Sequence, residues 1–515
     1  MRKQIMAQEK SQLKMGIVLS YINVVIGNLV PLFYTPLMLS MLGQEEYGLY
    51  KLASSISSYM SLLAFGMGGA VTRYLIKANS EGGKDAEENM MGMFHIIFQI
   101  IAGITLLVGG VVTYNLDKIY SQSLTTNELS EMKVLVAILV VNTAVGFSAS
   151  AYNAVVSSHE RFLFLQGINV ITTIVTPIAN LIALYFRGSS LSMVLVSLVL
   201  NVLIRIIYVI YVRSSLKIRP KYNNLPFNIL KELLTFSFWI FIANIVSQLY
   251  NATDTMIIGA IPSLATVGVA IYNVGATFNN IVFSLAQAVS GLFIPKANKM
   301  VFAGASNEKL TDYVISVGRY QCFVITLVCS GFVAFGRPFI DFYVGNEYAD
   351  AYWVAIVMMI PSCIPLVQSV ANSITQAKNM HRFRSLTYLF IAVLNVAGTY
   401  VLVHTSGIIG AAVMTGLANI VGQGFLMNWY YWKRVGLNIP RFWKNILNIE
   451  GIPLALCILF LILGQFVEFY NIYVFLMGVV VYVILYVILI WNFSMEPNEK
   501  QMIAEIFNII KKKRK

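Results

Sequence analysis

Long apolar runs alternate with short polar patches along the whole chain. Fourteen stretches hold enough mostly apolar residues to cross, as helices, a hydrocarbon core about 30 Å thick. They run at about 14–40, 49–76, 89–115, 132–157, 163–186 and 190–212, then 234–260, 265–294, 310–335, 351–377, 385–404 and 407–432. A final pair covers about 450–469 and 472–494. The short alternating segments of a membrane β-barrel are absent. The pattern predicts an all-α polytopic membrane protein of about 14 transmembrane helices, arranged as two six-helix pseudo-symmetric bundles plus a C-terminal helix pair.

The longest polar interruption is Arg213–Leu233, with Arg213, Lys217, Arg219, Lys221 and Lys231 against the single acid Glu232. It is expected to be a cytoplasmic connector tethering two bodies that move. The predicted organisation is an N-terminal bundle at 1–212, the connector at 213–233, a second bundle at 234–448, a helix pair at 449–494 and a tail at 495–515. In the tail, Met502, Ile503, Ile506, Phe507, Ile509 and Ile510 recur at mostly helical spacing before a run of five basic residues. That composition suits an amphipathic helix lying on an anionic leaflet.

Composition sharpens the class. The chain is 58% hydrophobic and 11% charged, whereas globular domains carry about 25% charged residues. The net charge of +13 would suit nucleic acid, but its distribution does not. With the N-terminus inside, most Lys and Arg residues fall in cytoplasmic segments, which places both termini in the cytoplasm of a cell-membrane protein. The first apolar run, about Gly16 to Met41, is too long for a signal-peptide core and is expected to stay in the mature chain. Cys322, Cys329, Cys363 and Cys457 lie inside apolar runs without metal-ligand spacing and read as packing residues. No G-x-x-x-x-G-K-[ST] loop is present, so nucleotide hydrolysis is not expected. No cofactor is expected beyond a coupling proton or sodium ion, and the chain reads as a monomeric transporter, not an enzyme.

Local motifs recur at a spacing of roughly 220 residues, the signature of an internal repeat. Lys77-Ala78-Asn79 matches Lys296-Ala297-Asn298, His159-Glu160-Arg161-Phe162 matches His381-Arg382-Phe383, and Gly48 matches Gly268. Six helices per half make the repeat parallel, with a substrate site expected between the halves. Helix bends are expected at Pro31 and Pro36 and at Gly66-Met67-Gly68-Gly69.

Ionisable residues inside spans are costly and mark function. Arg73, Arg205 and Arg319 all lie toward the cytoplasmic ends of their spans. Together they would line a basic cavity, and the guanidinium fork suits phosphate. Arg73 is also long enough to snorkel to headgroups. Tyr320, beside Arg319, could stack on a sugar or simply pack. Asp254 is read as the only acid well inside a span. With Asn251 about one turn and Gln248 nearly two turns earlier, it could bind a proton or sodium ion, or it could serve as a hydrogen-bonded helix end.

Several motifs carry a family resemblance over nearly the whole chain. They are Pro36-Leu37-Met38-Leu39-Ser40-Met41-Leu42-Gly43, Tyr47-Gly48-Leu49-Tyr50, Phe65-Gly66-Met67-Gly68 before Arg73, and Asp254-Thr255-Met256-Ile257-Ile258-Gly259. With the six, six and two arrangement, they make the chain resemble the polysaccharide-biosynthesis, or Wzx-like oligosaccharide flippase, family. That family belongs to the multidrug/oligosaccharidyl-lipid/polysaccharide exporter superfamily. The position after the aspartate, often basic there, is Thr255 here. The resemblance implies alternating access that carries an undecaprenyl-pyrophosphate-linked oligosaccharide from the inner to the outer leaflet. Such glycans serve capsule, exopolysaccharide or O-antigen, and a polymerase and glycosyltransferases would be partners. A negative-inside potential drives each anionic charge outward by about 2.3 kcal/mol per 100 mV.

Three alternatives use related architecture or cargo. A lipid II flippase would also bind pyrophosphate. A cation-coupled multidrug exporter would more typically have twelve spans and an acidic cavity. A glycan polymerase or ligase would present a large external loop with clustered catalytic residues, and the external loops here are short.

Overall fold

A computed structural model describes residues 2–380 and 382–501, with the side chains of residues 2–14, 16–18, Tyr21, Trp239 and Asn251 outside that description. His381 of the second repeated motif and the amphipathic tail beyond residue 501 also lie outside it. Among the described residues every regular element is helical and none is a strand. Among the described residues, ten continuous helical stretches are long and apolar enough to cross a membrane, or eleven with the bent pair Ala351–Val367 and Ser369–Ala377.

Breaks within the longest stretches resolve the remaining spans. Gly43 (φ 77) divides α1 (2–42) from α2 (44–82), and Gly83 (φ 64) divides α2 from α3 (84–120). Next come α4 (126–158), α5 (Phe162–Arg187) and α6 (Ser190–Tyr211). The second series is α7 (230–260), α8 (Ala265–Phe302), α9 (Asn307–Val344) and α10 (351–377). Gly407 (φ 59) then separates α11 (382–406) from α12 (408–435), and α13 (Ile439–Leu463) and α14 (Ile472–Leu489) bring the helical segments among the described residues to fourteen. This is the predicted class, an all-α polytopic membrane protein.

The internal repeat is written in the backbone more clearly than in the side chains. Left-handed residues recur roughly 220 positions apart: Gly83 with Gly304, Glu160 with Asn379, Gly188 with Gly407, and Lys217 with Gly436. Ala149 (φ −103, ψ 3) interrupts α4, and Gln368 (φ −105, ψ 11) interrupts α10 at the matching place. Short π-helical turns follow at Val212–Leu216 and Tyr431–Val435. The Lys217 turn bears a side chain where its counterpart uses glycine, and the Glu160 turn lacks glycine in both halves. The chain path is therefore what repeats.

The backbone angles stay helical through Pro31 and Pro36, and the Gly66 cluster is a break in the helix. A 3₁₀ turn at Tyr59–Ala64 leads to Phe65 (φ 50) and Gly66 (φ 67). A Cβ on Gly66 would strike the Ile240 side chain and the Phe241 backbone. Helix α13 starts eleven residues before the expected apolar run. The Asn438 side chain accepts from the Arg441 amide at 3.0 Å, and Pro440 sits in the first turn. Both are helix-start signals.

The chain forms two compact units, 1–273 with 388–411 and 274–387 with 412–515. In the first, Met67, Val71, Met91, Phe94, Tyr152 and Tyr208 belong to one buried core. In the second, α9 carries a polar stripe inward. Thr326 and Tyr486 hydroxyls meet at 2.7 Å, Ser330 and Tyr482 hydroxyls at 2.6 Å, and Tyr486 Oη donates to the Phe323 carbonyl at 2.8 Å. Such bonds hold helices together where apolar burial gives no drive, because lipid is as apolar as the core.

Candidate functional site

In the first unit, Asp254 is 1% exposed and near the start of the short helix Thr253–Ala260 that ends α7. Its carboxylate accepts from Tyr272 Oη at 2.6 Å and from Thr399 Oγ1 at 3.1 Å. The next residue, Thr255, is also buried and accepts from Asn273 Nδ2 at 3.2 Å.

Gln248 points elsewhere. Its Oε1 accepts from Ser58 Oγ at 3.0 Å and its Nε2 donates to Ser61 Oγ at 3.3 Å. Thr253 bonds the Tyr59 hydroxyl. The break in α2 therefore supplies the hydroxyls that meet this part of α7. Asn251, the remaining expected ion ligand, has its side chain outside the described residues. Among the described side chains, Asp254 takes the Tyr272 and Thr399 hydroxyls while Gln248 meets Ser58 and Ser61.

Arg205 lies in α6, half-buried, and donates from Nε to Asn201 Oδ1 at 3.1 Å. Asn201 in turn donates to Asn142 Oδ1 at 2.7 Å and to the Asn142 carbonyl at 3.1 Å. The glycine at 146 leaves space beside the guanidinium, whose Nη2 would lie 3.7 Å from a Cβ there. Among the described residues no carboxylate comes within ion-pair distance of Arg205 or Arg73. Arg73 is exposed and its guanidinium sits over the Phe236 ring at 5.5 Å.

In the second unit, Arg319 is held by the segment after α14. Nε donates to Glu499 Oε1 at 2.6 Å, Nη2 to Glu499 Oε2 at 3.0 Å and to the Ser494 carbonyl at 2.7 Å. Glu496 adds a carboxylate 3.5 Å from Nη1. Tyr320 stacks on Phe293 with ring centroids 5.7 Å apart. The sequence pattern placed Glu496 and Glu499 in a tail lying on the membrane surface and so missed the partners of Arg319.

A second acid inside a span was also missed. Glu450, half-buried along α13, accepts from Cys322 Sγ at 3.4 Å. Hydropathy hides it, because the apolar run begins at about residue 450 whereas the helix begins at Ile439.

The connector is docked, not loose. Lys221 bonds Asp85 at 2.6 Å and Glu88 at 2.8 Å, and its amide donates to the Glu88 carbonyl at 2.9 Å. Pairing with these carboxylates raises the Lys221 ammonium above its usual range. A Cβ on Gly92 would overlap the Lys221 carbonyl. Nearby, His159 Nε2 meets buried Glu87 at 2.8 Å.

Comparison with known proteins gives these features a setting. The chain is 21% identical over 401 residues to the "Putative O-antigen transporter" of Shigella flexneri, covering 76% of this chain and 90% of that one. It is 23% identical over 208 residues to the "Probable low-salt glycan biosynthesis flippase Agl15" of Haloferax volcanii, covering 40% of this chain and 42% of that one. Its fold is similar to the solved "Lipid II flippase MurJ, inward closed conformation", with TM-score 0.71, 15% identity and coverage of 93% of this chain and 99% of that one. An inward-facing multidrug resistance MATE family transporter of the MOP superfamily gives TM-score 0.61 at 14% identity, covering 83% and 99%. Residues 13–299 match the model of the family described as polysaccharide biosynthesis protein. That match spans more than half of the chain, which therefore belongs to the polysaccharide biosynthesis protein family.

Proposed function

We propose that this protein flips an undecaprenyl-pyrophosphate-linked oligosaccharide from the inner to the outer leaflet of the cell membrane by alternating access of two six-helix halves. The cargo is an O-antigen, capsule or exopolysaccharide-type glycan. The observation that carries the anionic part of this reading is Arg205. It is a guanidinium within a span, oriented by Asn201 and Asn142, and no carboxylate pairs with it among the described residues. A fixed positive charge in a low-dielectric setting attracts an anion far more strongly than in water. Arg73 offers a second, outlying cation, and Tyr320 offers an aromatic surface for a sugar. The names of the relatives support the glycan part.

Reconstituted protein supplied with a lipid-linked oligosaccharide tests the proposal, with lipid II as the competing cargo. Arg205→Ala is expected to slow flipping at least about tenfold, the rate equivalent of ~1.4 kcal/mol, while Arg205→Lys retains part of it. An alanine variant that flips at the wild-type rate removes Arg205 from the site. Faster flipping of lipid II would reassign the cargo.

Asp254 is the proposed coupling residue. Its carboxylate and the Tyr272 and Thr399 hydroxyls offer oxygen ligands to a proton or sodium ion, and hard cations take oxygen. Asp254→Asn keeps the size and removes the charge. It is expected to flatten the dependence of flipping on pH or sodium while leaving potential-driven flipping in place. The same dependence in both proteins would rule this role out.

A further inference from the structure

The carboxylate of Glu499 fills the guanidinium fork of Arg319. It grips the guanidinium with both oxygens, 2.6 Å from Nε and 3.0 Å from Nη2. Both side chains are buried, 5% and 3% exposed. A two-pronged grip of this kind is shared by carboxylates and phosphates. Glu499 also accepts from the Glu496 amide at 2.8 Å, so the carboxylate is fixed within its own turn. Nη2 reaches the Ser494 carbonyl at 2.7 Å.

A cavity of about 300 Å³ opens beside this pair, lined in part by Ser316, Tyr320, Asn445, Asn498 and Arg441. Arg441 is itself paired with Asp312 at 2.8 Å. With the 494–499 segment in place, the cavity wall carries Asp312, Glu496 and Glu499 against two arginines, and it repels anions. Without that segment, Arg319 and Arg441 face Asp312 alone, among neutral donors. Removing a carboxylate from a buried guanidinium is costly unless another anion replaces it. The exchange is therefore a competition between two anions for one fork.

We propose that Glu499 is an internal occupant of an anion site built on Arg319, displaced when a phosphate or pyrophosphate group binds. The segment following α14 then reports on the occupancy of the site. This inference rests on the reading of Arg319 as an anion-binding residue, and it adds a regulation of that site.

The test uses the full chain in lipid nanodiscs, with inorganic pyrophosphate as the probe and calorimetric titration as the readout. Glu499→Gln is expected to bind at least about tenfold tighter than wild type, and adding Arg319→Ala to it is expected to abolish binding. Equal, Arg319-dependent affinity in wild type and Glu499→Gln would keep the site and overturn the competition. Absence of any Arg319-dependent binding would overturn the site and the competition together. Glu499→Asp, which keeps the charge and shortens the reach, covers the case of a glutamine variant that does not fold. Intermediate tightening is then expected, and none would overturn the competition. Repeating the titration with a prenyl pyrophosphate separates the sources: tighter binding assigns a lipid-borne group, equal binding a free one.

Discussion

Arg319→Ala, compared at matched protein levels, is expected to abolish glycan export and to lower the stability of the folded protein. The two losses have one origin. Arg319 is the counter-ion of a carboxylate that is itself only 3% exposed. Taking away one member of a buried ion pair typically costs about 3–5 kcal/mol, because the other is left charged and desolvated. Arg319→Lys keeps the charge but cannot make both bonds to Glu499, so part of the export and part of the stability should survive. Arg319→Ala with Glu499→Gln separates the two effects. That pair removes the stranded charge, and thermal stability should largely return while export does not. Full export by the double variant would mean that Arg319 serves the scaffold alone. The measurements are surface glycan, normalised to membrane protein, and a thermal unfolding scan in detergent.

Gly48→Ala is expected to be among the most damaging single-methyl additions in the first unit. A Cβ at this position would run into the backbone carbonyl of Thr266. Overpacking usually costs about 1–3 kcal/mol, occasionally more, and here the obstacle is backbone that cannot rotate away. Folded yield should fall several-fold. Gly103, a helical glycine where an added Cβ would meet nothing within 4 Å, is the control. Alanine there should be neutral or gain about 0.5–1 kcal/mol, the usual penalty of a helical glycine. Equal yields of the Gly48 and Gly103 variants would show that α2 can shift away from Thr266.

These two residues show what the sequence could and could not tell. Hydropathy located the spans because lipid imposes a length and a composition on each one separately. Gly48 stood out as half of a repeated pair, yet its close neighbour, Thr266, could not be read from spacing. The repeat itself was only faintly legible, because turns such as those at Lys217 and Glu160 adopt a left-handed backbone without the glycine that would announce it. Arg319 was identifiable as a buried cation, but its carboxylate partner lies 180 residues away in a polar stretch. Asp254 was legible as an embedded acid, whereas Tyr272 and Thr399 are ordinary residues until folding brings them to it. The start of α13 is written locally, in Asn438 and Pro440, but hydropathy passes over it because the apolar run begins later than the helix.

The anchoring of Lys221 to the start of α3 has a mechanical corollary. Only residues 222–229 remain between that anchor and the first turn of α7. Fully stretched, eight residues reach about 26–29 Å, and Pro226 and the 3₁₀ turn at Phe227–Ile229 use up part of that. The connector is thus a short leash with a fixed upper limit of travel. Any stroke of α7 that exceeds it must first tear Lys221 from Asp85 and Glu88.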